Sequence, residues 1–509
     1  MNLNRRSFLL GSAAASALAG CSTAKIGPRE LKPGEKRRIA MIGYGIQMRT
    51  ALIPQFLNNE YAPNVEIVAV CDCDRVRAAA GAAQVNKAYG NNDCVALNDF
   101  RKVLEDPMID AVCIATPDHW HAYISVEAMK HGKDVYCEKP LTFSIEEAKK
   151  VMEAQKKYDR VFQTGSMQRS WREFRDAVGL VRGGLIGDVM YVDANYGIGG
   201  QKLGGPSHPL RFYDKPENAA IEGKENPDVD WDMWLGPAQW RPYSDQLAPR
   251  GVNNFYPMFW RFDDDIGSGY NGDWGAHHLD IAQWGLDMDK AGPFRIVRSD
   301  EPYSTDLFHG CRRQFGMMML FAKDYGTVEL YHGPFGVWGT VFYGTKGIVA
   351  VNRGKIAVWV GGKAAGVKPD ADIRKALQDA QNLFAKEAIV AESIGKDYGT
   401  DATVKKDNKL AAALDKIEKD YAEILKKADL YFSPNQVQNF CECLETRQRT
   451  ISPAEVGGRG ATLCLLCNTS YKYDTGFEWD PVNMEVAGCN RKGISIKREV
   501  YRAGWNIEV

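Results

Sequence analysis

At 509 residues the chain is long enough to bury the cores of two domains. Lys and Arg total 64 against 65 Asp and Glu, and the formal charge of −1 gives no field to draw nucleic acid or an anionic membrane. Of 12 cysteines, one closes the leader described next, and the odd remainder excludes a fully paired disulfide framework.

Residues 1–36 read as an export leader and tether. Asn4-Arg5-Arg6-Ser7-Phe8-Leu9 has the twin-arginine pattern and precedes an apolar stretch too short for a permanent membrane span. That stretch ends in Leu18-Ala19-Gly20-Cys21, which resembles a bacterial lipobox, so Cys21 is the expected lipidation site. The expected location is periplasmic or membrane-anchored, with the membrane touched only through the N-terminal lipid.

Residues 37–160 read as a dinucleotide-binding domain. Arg37–Ile42 is a short strand running into Gly43-Tyr44-Gly45-Ile46-Gln47-Met48 and then a helix. Gly43 permits the tight turn, and Gly45 lets the backbone approach a pyrophosphate whose charge the helix N-terminus meets. Met48 replaces the third glycine of that fingerprint. The next strand, Val65–Cys71, ends in Asp72, placed to accept the ribose hydroxyls, which favours NAD over NADP although Arg75 and Arg77 lie close by. The strand Ala111–Ala115 opens into Thr116-Pro117-Asp118-His119-Trp120-His121; the two histidines, spaced i, i+2, read as residues lining the cofactor and not as a metal pair. After the strand Asp134–Cys137, Glu138-Lys139-Pro140 delivers a cation to a strand end, where ligands bind in parallel sheets. On its own such a lysine also fits a solvated turn.

GYGIQM, VAVCD, ATPDHWHA and CEKPLT, in this order, resemble the Gfo/Idh/MocA oxidoreductases, the family of glucose–fructose oxidoreductase and inositol dehydrogenase. The resemblance covers Arg37 to about Trp479 and implies an α/β fold: a Rossmann parallel-sheet domain, then an α+β domain over 161–509 with an open, mostly antiparallel sheet. It also implies cofactor contacts at Gly43, Gly45, Gln47, Asp72, Thr116, Pro117, His119, Glu138 and Lys139, and a D-x-x-x-H pair that Asp273 and His277 fit. A second histidine, His278, follows directly. A small carbohydrate or polyol is the expected partner, and a homo-oligomer the expected assembly.

Asp273 and His277 lie four apart, so on a helix they share one face and can converge on one carbinol. Histidine titrates near neutrality and suits a general base that removes the hydroxyl proton, while Lys139 stabilises the developing alkoxide. The same spacing also fits an ordinary helix with a core histidine. Gln168 and Arg169, after the strand-like Val161–Gly165, are candidate substrate contacts together with His278. Trp231, Trp234, Trp240 and Trp260 suit stacking on a sugar or the packing of a core under long loops. No metal is expected: His277 and His278, beside Asp280, are adjacent and diverge on a helix, and Cys441 and Cys443 at i, i+2 face apart, so that with Cys464 and Cys467 they read as small buried hydrophobes.

Between 368 and 430 the family pattern is interrupted. Ile373, Leu377, Ala380, Phe384 and Ala388 make one apolar stripe and Leu410, Leu414, Ile417, Tyr421 and Ile424 a second, joined through Gly395–Gly399, which predicts a helical hairpin. The functional expectation is an NAD-dependent oxidoreductase acting on a secondary hydroxyl of a sugar, glycoside or cyclitol, with tightly bound cofactor. The alternatives are a redox-neutral glycoside hydrolase or epimerase, a non-enzymatic carbohydrate-binding lipoprotein, and a scaffold subunit.

Overall fold

Apolar runs of four to seven residues that are buried along most of their length fold as the strands of a sheet covered on both faces. The computed structural model describes residues 27–195, 226–245, 247–252, 259–263, 265–269, 271–298, 317–333, 338–378, 388–392, 408–498 and 501–509. The leader through Cys21 lies outside them.

Among the described residues one sheet is wholly parallel. It contains β1 (Arg37–Ile42), β2 (Val65–Cys71), β3 (Val95–Leu97), β4 (Ala111–Ile114), β5 (Asp134–Cys137) and β6 (Phe162–Thr164), in the order β3-β2-β1-β4-β5-β6. Side chains of β1 alternate between two cores, Ile39 and Met41 to one and Ala40 and Ile42 to the other. The order reverses between β1 and β4, which opens a crevice beyond their carboxyl ends. The domain boundary expected at residue 160 falls one strand early, because β6 pairs in parallel with β5. A helix from late in the chain, Gln436–Thr446, also completes this domain, setting Phe440 edge-on to Phe56 and Tyr136 at 6.4 and 5.8 Å between centroids.

The second sheet contains β7 (Val189–Asn195), β8 (Arg295–Val297), β9 (Met317–Lys323), β10 (Gly326–Gly333), β11 (Thr340–Gly344), β12 (Gly347–Asn352), β13 (Lys355–Val360), β14 (Ala388–Glu392), β15 (Phe477–Asp480) and β16 (Glu485–Gly488). Among the described residues its pairings are antiparallel except for β7 with β10. Helices Arg172–Arg182, Ala276–Gly285 and Ala454–Tyr473 share the larger core with one face. Cys464 and Cys467 are buried in that core, and Cys441 and Cys443 in the core of the first domain.

The segment expected as a helical hairpin is arranged differently. Helix Ala371–Gln378 lays Leu377 and Ile373 against one face of the second sheet, beside Trp338 and Trp359. Ala388 of the expected stripe instead begins β14, which extends the sheet edge beside β13.

 Ala380, Phe384 and the Gly395–Gly399 turn lie outside the described residues. The second stripe, on helices Asn408–Asp420 and Ala422–Ala428, buries Leu410, Leu414 and Ile417 in the opposite core, with Tyr421 and Ile424 packed against it. The described parts of the two stripes therefore pack on opposite faces of one sheet.

Candidate active site

The glycine turn is built as its sequence requires. Gly43 adopts φ +89°, and a Cβ there would meet the carbonyl oxygen of Ala115 at 2.8 Å. At Gly45 a Cβ would meet nothing within 4 Å, so the backbone borders open space. Met48, standing where the third glycine would be, is fully buried, and the chain winds there as a π-helical turn, Met48–Leu52, before continuing as Ile53–Phe56. Close helix-to-sheet contact is supplied by the next helix instead, where a Cβ on Gly81 would stand 2.5 Å from Val70 Cγ1 and 2.8 Å from the Tyr44 ring.

These elements border a cleft of about 420 Å³. Gly43, Gly45, Gln47, Asp72, Thr116, Pro117, Glu138, Lys139, Asp273 and His277 all line it. Asp72 accepts from Tyr44 N–H at 2.7 Å and from Asp74 N–H at 2.9 Å, and burial pushes its carboxyl up. Glu138 accepts from Gln47 Nε2 at 3.1 Å, and burial raises it as well. Thr116 Oγ1 is buried without a hydrogen-bond partner among the described residues. The open space at Gly45 and this orphaned hydroxyl fit a dinucleotide laid over the strand ends. His121, also lining the cleft, sits between the carbonyl oxygens of Pro140 at 2.7 Å and Thr116 at 3.0 Å and ties the two loops together.

Lys139 Nζ donates to Asp273 Oδ1 and to its backbone oxygen, both at 2.8 Å. Arg261 Nε stands 3.5 Å from Asp273 Oδ2. Asp273 lies on a π-helical turn, Asn271–Gly275, that leads into the helix carrying His277, so the expected regular helical spacing is widened at this point. His277 is buried, and its Nδ1 has no partner among the described residues. Burial first, then the charges of Lys139 and Arg353, hold its pKa well below 6.5, which leaves a neutral imidazole able to accept a proton.

Other expected site residues take structural positions. His278 is fully buried, with Nδ1 2.5 Å from the Asn195 carbonyl and Nε2 3.4 Å from Gln168 Nε2. The network fits an imidazole that donates to Asn195 and accepts from Gln168, and burial lowers its pKa to about 3. Neighbours on a helix diverge, so His278 turns to the core while His277 turns to the cleft. Arg169 is not a lining residue: it makes paired contacts to Asp280 at 2.8 Å and to Asp289 at 2.7 and 2.9 Å, with its guanidinium 5.1 Å from the Trp284 ring centroid. Asp280 is thereby engaged as a counter-ion. His119 faces the Trp234 carbonyl at 3.2 Å and does not line the cleft.

Trp234 and Trp260 line the cleft, whereas Trp231 stacks on Trp234 at 4.8 Å and Trp240 is 66% exposed. Sequence reasoning passed over Arg261, Trp274 and Arg353, which also line it. Arg353 follows Asn352 in the turn between β12 and β13, and its guanidinium lies 4.7 Å from the Trp274 ring centroid and 5.3 Å from that of Trp171. Asn-Arg-Gly signals a turn, but only topology says that this turn opens on the cleft.

Residues 37–166 match the oxidoreductase family, NAD-binding Rossmann fold, and residues 211–317 match the oxidoreductase family, C-terminal alpha/beta domain. The chain is 41% identical over 93 residues to a scyllo-inositol 2-dehydrogenase (NAD(+)) of Bacillus subtilis, covering 18% of this chain and 27% of that protein. It is 28% identical over 201 residues to a glycosyl hydrolase family 109 protein of Stenotrophomonas maltophilia, covering 38% of this chain and 42% of that protein. The chain thus spans under half the length of these curated relatives. A levoglucosan dehydrogenase solved with NADH and levoglucosan has a similar fold, with a TM-score of 0.51 and 16% identity over 87% of this chain and 99% of that one.

Proposed function

We propose, for a chain that belongs to the Gfo/Idh/MocA oxidoreductase family, that this cleft binds NAD and oxidises a secondary hydroxyl of a sugar, glycoside or cyclitol. The observation that carries the reading is the meeting of Lys139, Asp273 and His277 in the cleft that the glycine turn borders. Gly43, Gly45, Gln47, Thr116 and Pro117 would hold the dinucleotide, with Asp72 toward the ribose. Bound there, NAD supplies a hydride acceptor for the carbinol carbon.

The residues of the chain handle the proton and the charge. Neutral His277 takes the hydroxyl proton as hydride departs, a role worth about 10²–10⁴-fold in rate. Lys139, held by Asp273, places an ammonium where the oxygen gains negative charge. Trp234, Trp260 and Trp274 offer aromatic faces to the apolar side of a sugar ring and exclude water.

The similarity to glycosyl hydrolase family 109 proteins favours a second reading, a redox-neutral cycle on the same residues. Oxidation of a ring hydroxyl would acidify the neighbouring C–H; loss of that proton and of a glycosidic substituent on the next carbon would give an enone, water would add to it, and NAD held in the cleft would supply the chemistry to take up one hydride and give it back, so that the ketone ends as a hydroxyl again. Such a cycle needs no outside oxidant, which suits the further proposal that the leader exports the folded protein by the twin-arginine route with NAD already bound and Cys21 lipidated. Purified protein incubated with a panel of sugars, cyclitols and glycosides, with products analysed by mass and NMR, tests these readings. Ketone with NADH supports net oxidation; released aglycone or an epimer without NADH supports the cycle. No product from any member contradicts both.

A further inference from the structure

We infer that residues 228–236 and 247–249 close over the adenosine half of NAD and are latched there by Arg502, so that NAD stays on the protein from one turnover to the next; this rests on the NAD-dependent reading of the same cleft. Both stretches lie far beyond the nucleotide domain in the chain, yet Val229, Met233, Leu247 and Pro249 line the cleft together with Asp72 and Phe100. Asp72 marks the place of the adenosine ribose, and an apolar wall beside it suits the flat face of a base. Backbone pairing seats the first stretch. Val229 forms an antiparallel bridge with Asp74, with Arg75 N–H donating to the Asp228 carbonyl at 2.9 Å and Asp230 N–H to the Cys73 carbonyl at 3.0 Å. Met233 is buried in the nucleotide-domain core that also holds Trp120 and Ile507. The Trp234 carbonyl accepts from Trp120 Nε1 at 3.1 Å, and a Cβ on Gly236 would stand 2.1 Å from the Trp120 ring. The second stretch is held where the Pro249 carbonyl accepts from Arg77 Nη2 at 2.9 Å. The exposed Arg75–Asp228 ion pair adds little, because water screens it.

The latch comes from the end of the chain. Arg502 donates through Nε to the Gly236 carbonyl at 2.7 Å, and through Nη1 and Nη2 to the carboxylate and the carbonyl of Asp232, both at 2.5 Å. One guanidinium thus fixes both ends of the short helix Trp231–Leu235 that carries Met233 and Trp234. Three residues on, Trp505 packs on Trp120 at 5.0 Å between centroids, so the tail and the closing segment grip the same side chain. Arg502 itself does not line the cleft; it acts on the cofactor through the segment it positions. A ligand beneath a segment that must unpair, lose core burial and break charge-assisted bonds leaves only as fast as that segment opens.

The test uses the full-length protein loaded with NAD that carries an isotopic label in its adenine. After free nucleotide is removed, a large excess of unlabelled NAD is added and the label left on the protein is followed with time. In the parent the label should survive gel filtration and leave slowly into the chase, and Arg502→Gln and Gly236→Ala should each speed its release about tenfold or more. Hydrogen exchange locates the opening: in both variants the amides of Arg75 and Asp230 should lose protection while those of β1 and β4 keep theirs. If Arg502→Gln fails to fold, Asp232→Asn weakens the same latch at an exposed residue. Release from the parent within the mixing time, unchanged release from the folded variants, or faster release with protection lost throughout the parallel sheet overturns the inference. Immediate release from a parent that still oxidises sugars would defeat the latch and leave the oxidoreductase reading standing. Slow release that the variants quicken, with no sugar reducing the bound NAD, would do the reverse. A protein that takes up no NAD contradicts both.

Discussion

His277 combines burial with two cationic neighbours, and both hold its imidazole neutral. Because its pKa in the fold lies below 6.5, the base stays competent as pH falls through 6.5 and is lost only at lower pH, when the ring takes a proton. The pH profile of kcat/KM should accordingly be flat from mild alkali down to 6.5 and drop below it; an acid limb centred at 6.5 or above would mean that the base is another group or that the field at His277 is not positive. Asp72 makes a second prediction. With its carboxylate lining the cleft, Asp72→Ala should narrow the preference for NAD over NADP by removing repulsion against a 2′-phosphate, as measured by the two dissociation constants. Equal affinity for the two in the parent would give the choice to Arg77, which also lines the cleft, and an undiminished preference in the variant would take the choice away from Asp72. Residues whose place in the cleft follows from local pattern were legible in the sequence: Gly43 from its turn, Lys139 from its strand end, Asp273 and His277 from their spacing. Arg261 and Arg353 were not, because their place there depends on which loops the fold brings together. Arg169 was misread for the same reason, since its carboxylate partners lie more than a hundred residues away.

At the scale of elements, Arg169 joins the short helical turn Met167–Ser170 to the helix Ala276–Gly285 that presents His277. It is fully buried, so Arg169→Met strands Asp280 and Asp289 without their counter-ion and should lower stability by about 3–5 kcal/mol, read as a fall in the urea midpoint. A loss below about 1 kcal/mol would mean that water or rearranged neighbours replace the guanidinium. Five strands of the parallel sheet could be read from their apolar runs and the turns that end them; β3, three residues with Val95 and Ala96 exposed, could not. The insertion could not be read to the same depth: its apolar stripes have helical period, yet Ala388 pairs with Trp359 on β13. Sheet-edge pairing is a non-local interaction that overrides a local period. Met48 in place of the third glycine similarly marked a departure from the fingerprint, without saying that a π-helical turn would house the side chain or that Gly81 would supply the close approach.

Over the whole molecule, the chain's last residues tie the walls of the cleft to the nucleotide domain. Trp505 packs on Trp120 and Tyr123 at 5.0 and 5.4 Å between centroids, Tyr501 donates to Glu147 at 2.8 Å, and Arg498 pairs with Asp265 at 2.6 Å. One cleft thus draws on the parallel sheet, the loops before the His277 helix and a turn of the second sheet, which is the arrangement the proposed reaction needs to set a substrate against a dinucleotide. The most direct test is a single-turnover experiment in which protein loaded with one equivalent of NAD is mixed with an accepted sugar and the formation of bound NADH is followed in the parent and in His277→Ala. The account predicts rapid reduction of the bound NAD in the parent and a rate lower by about 10²-fold or more in the variant, with NAD affinity retained. Reduction at comparable rates in the two proteins, or conversion of sugar with no hydride reaching the bound NAD at any time, would contradict it.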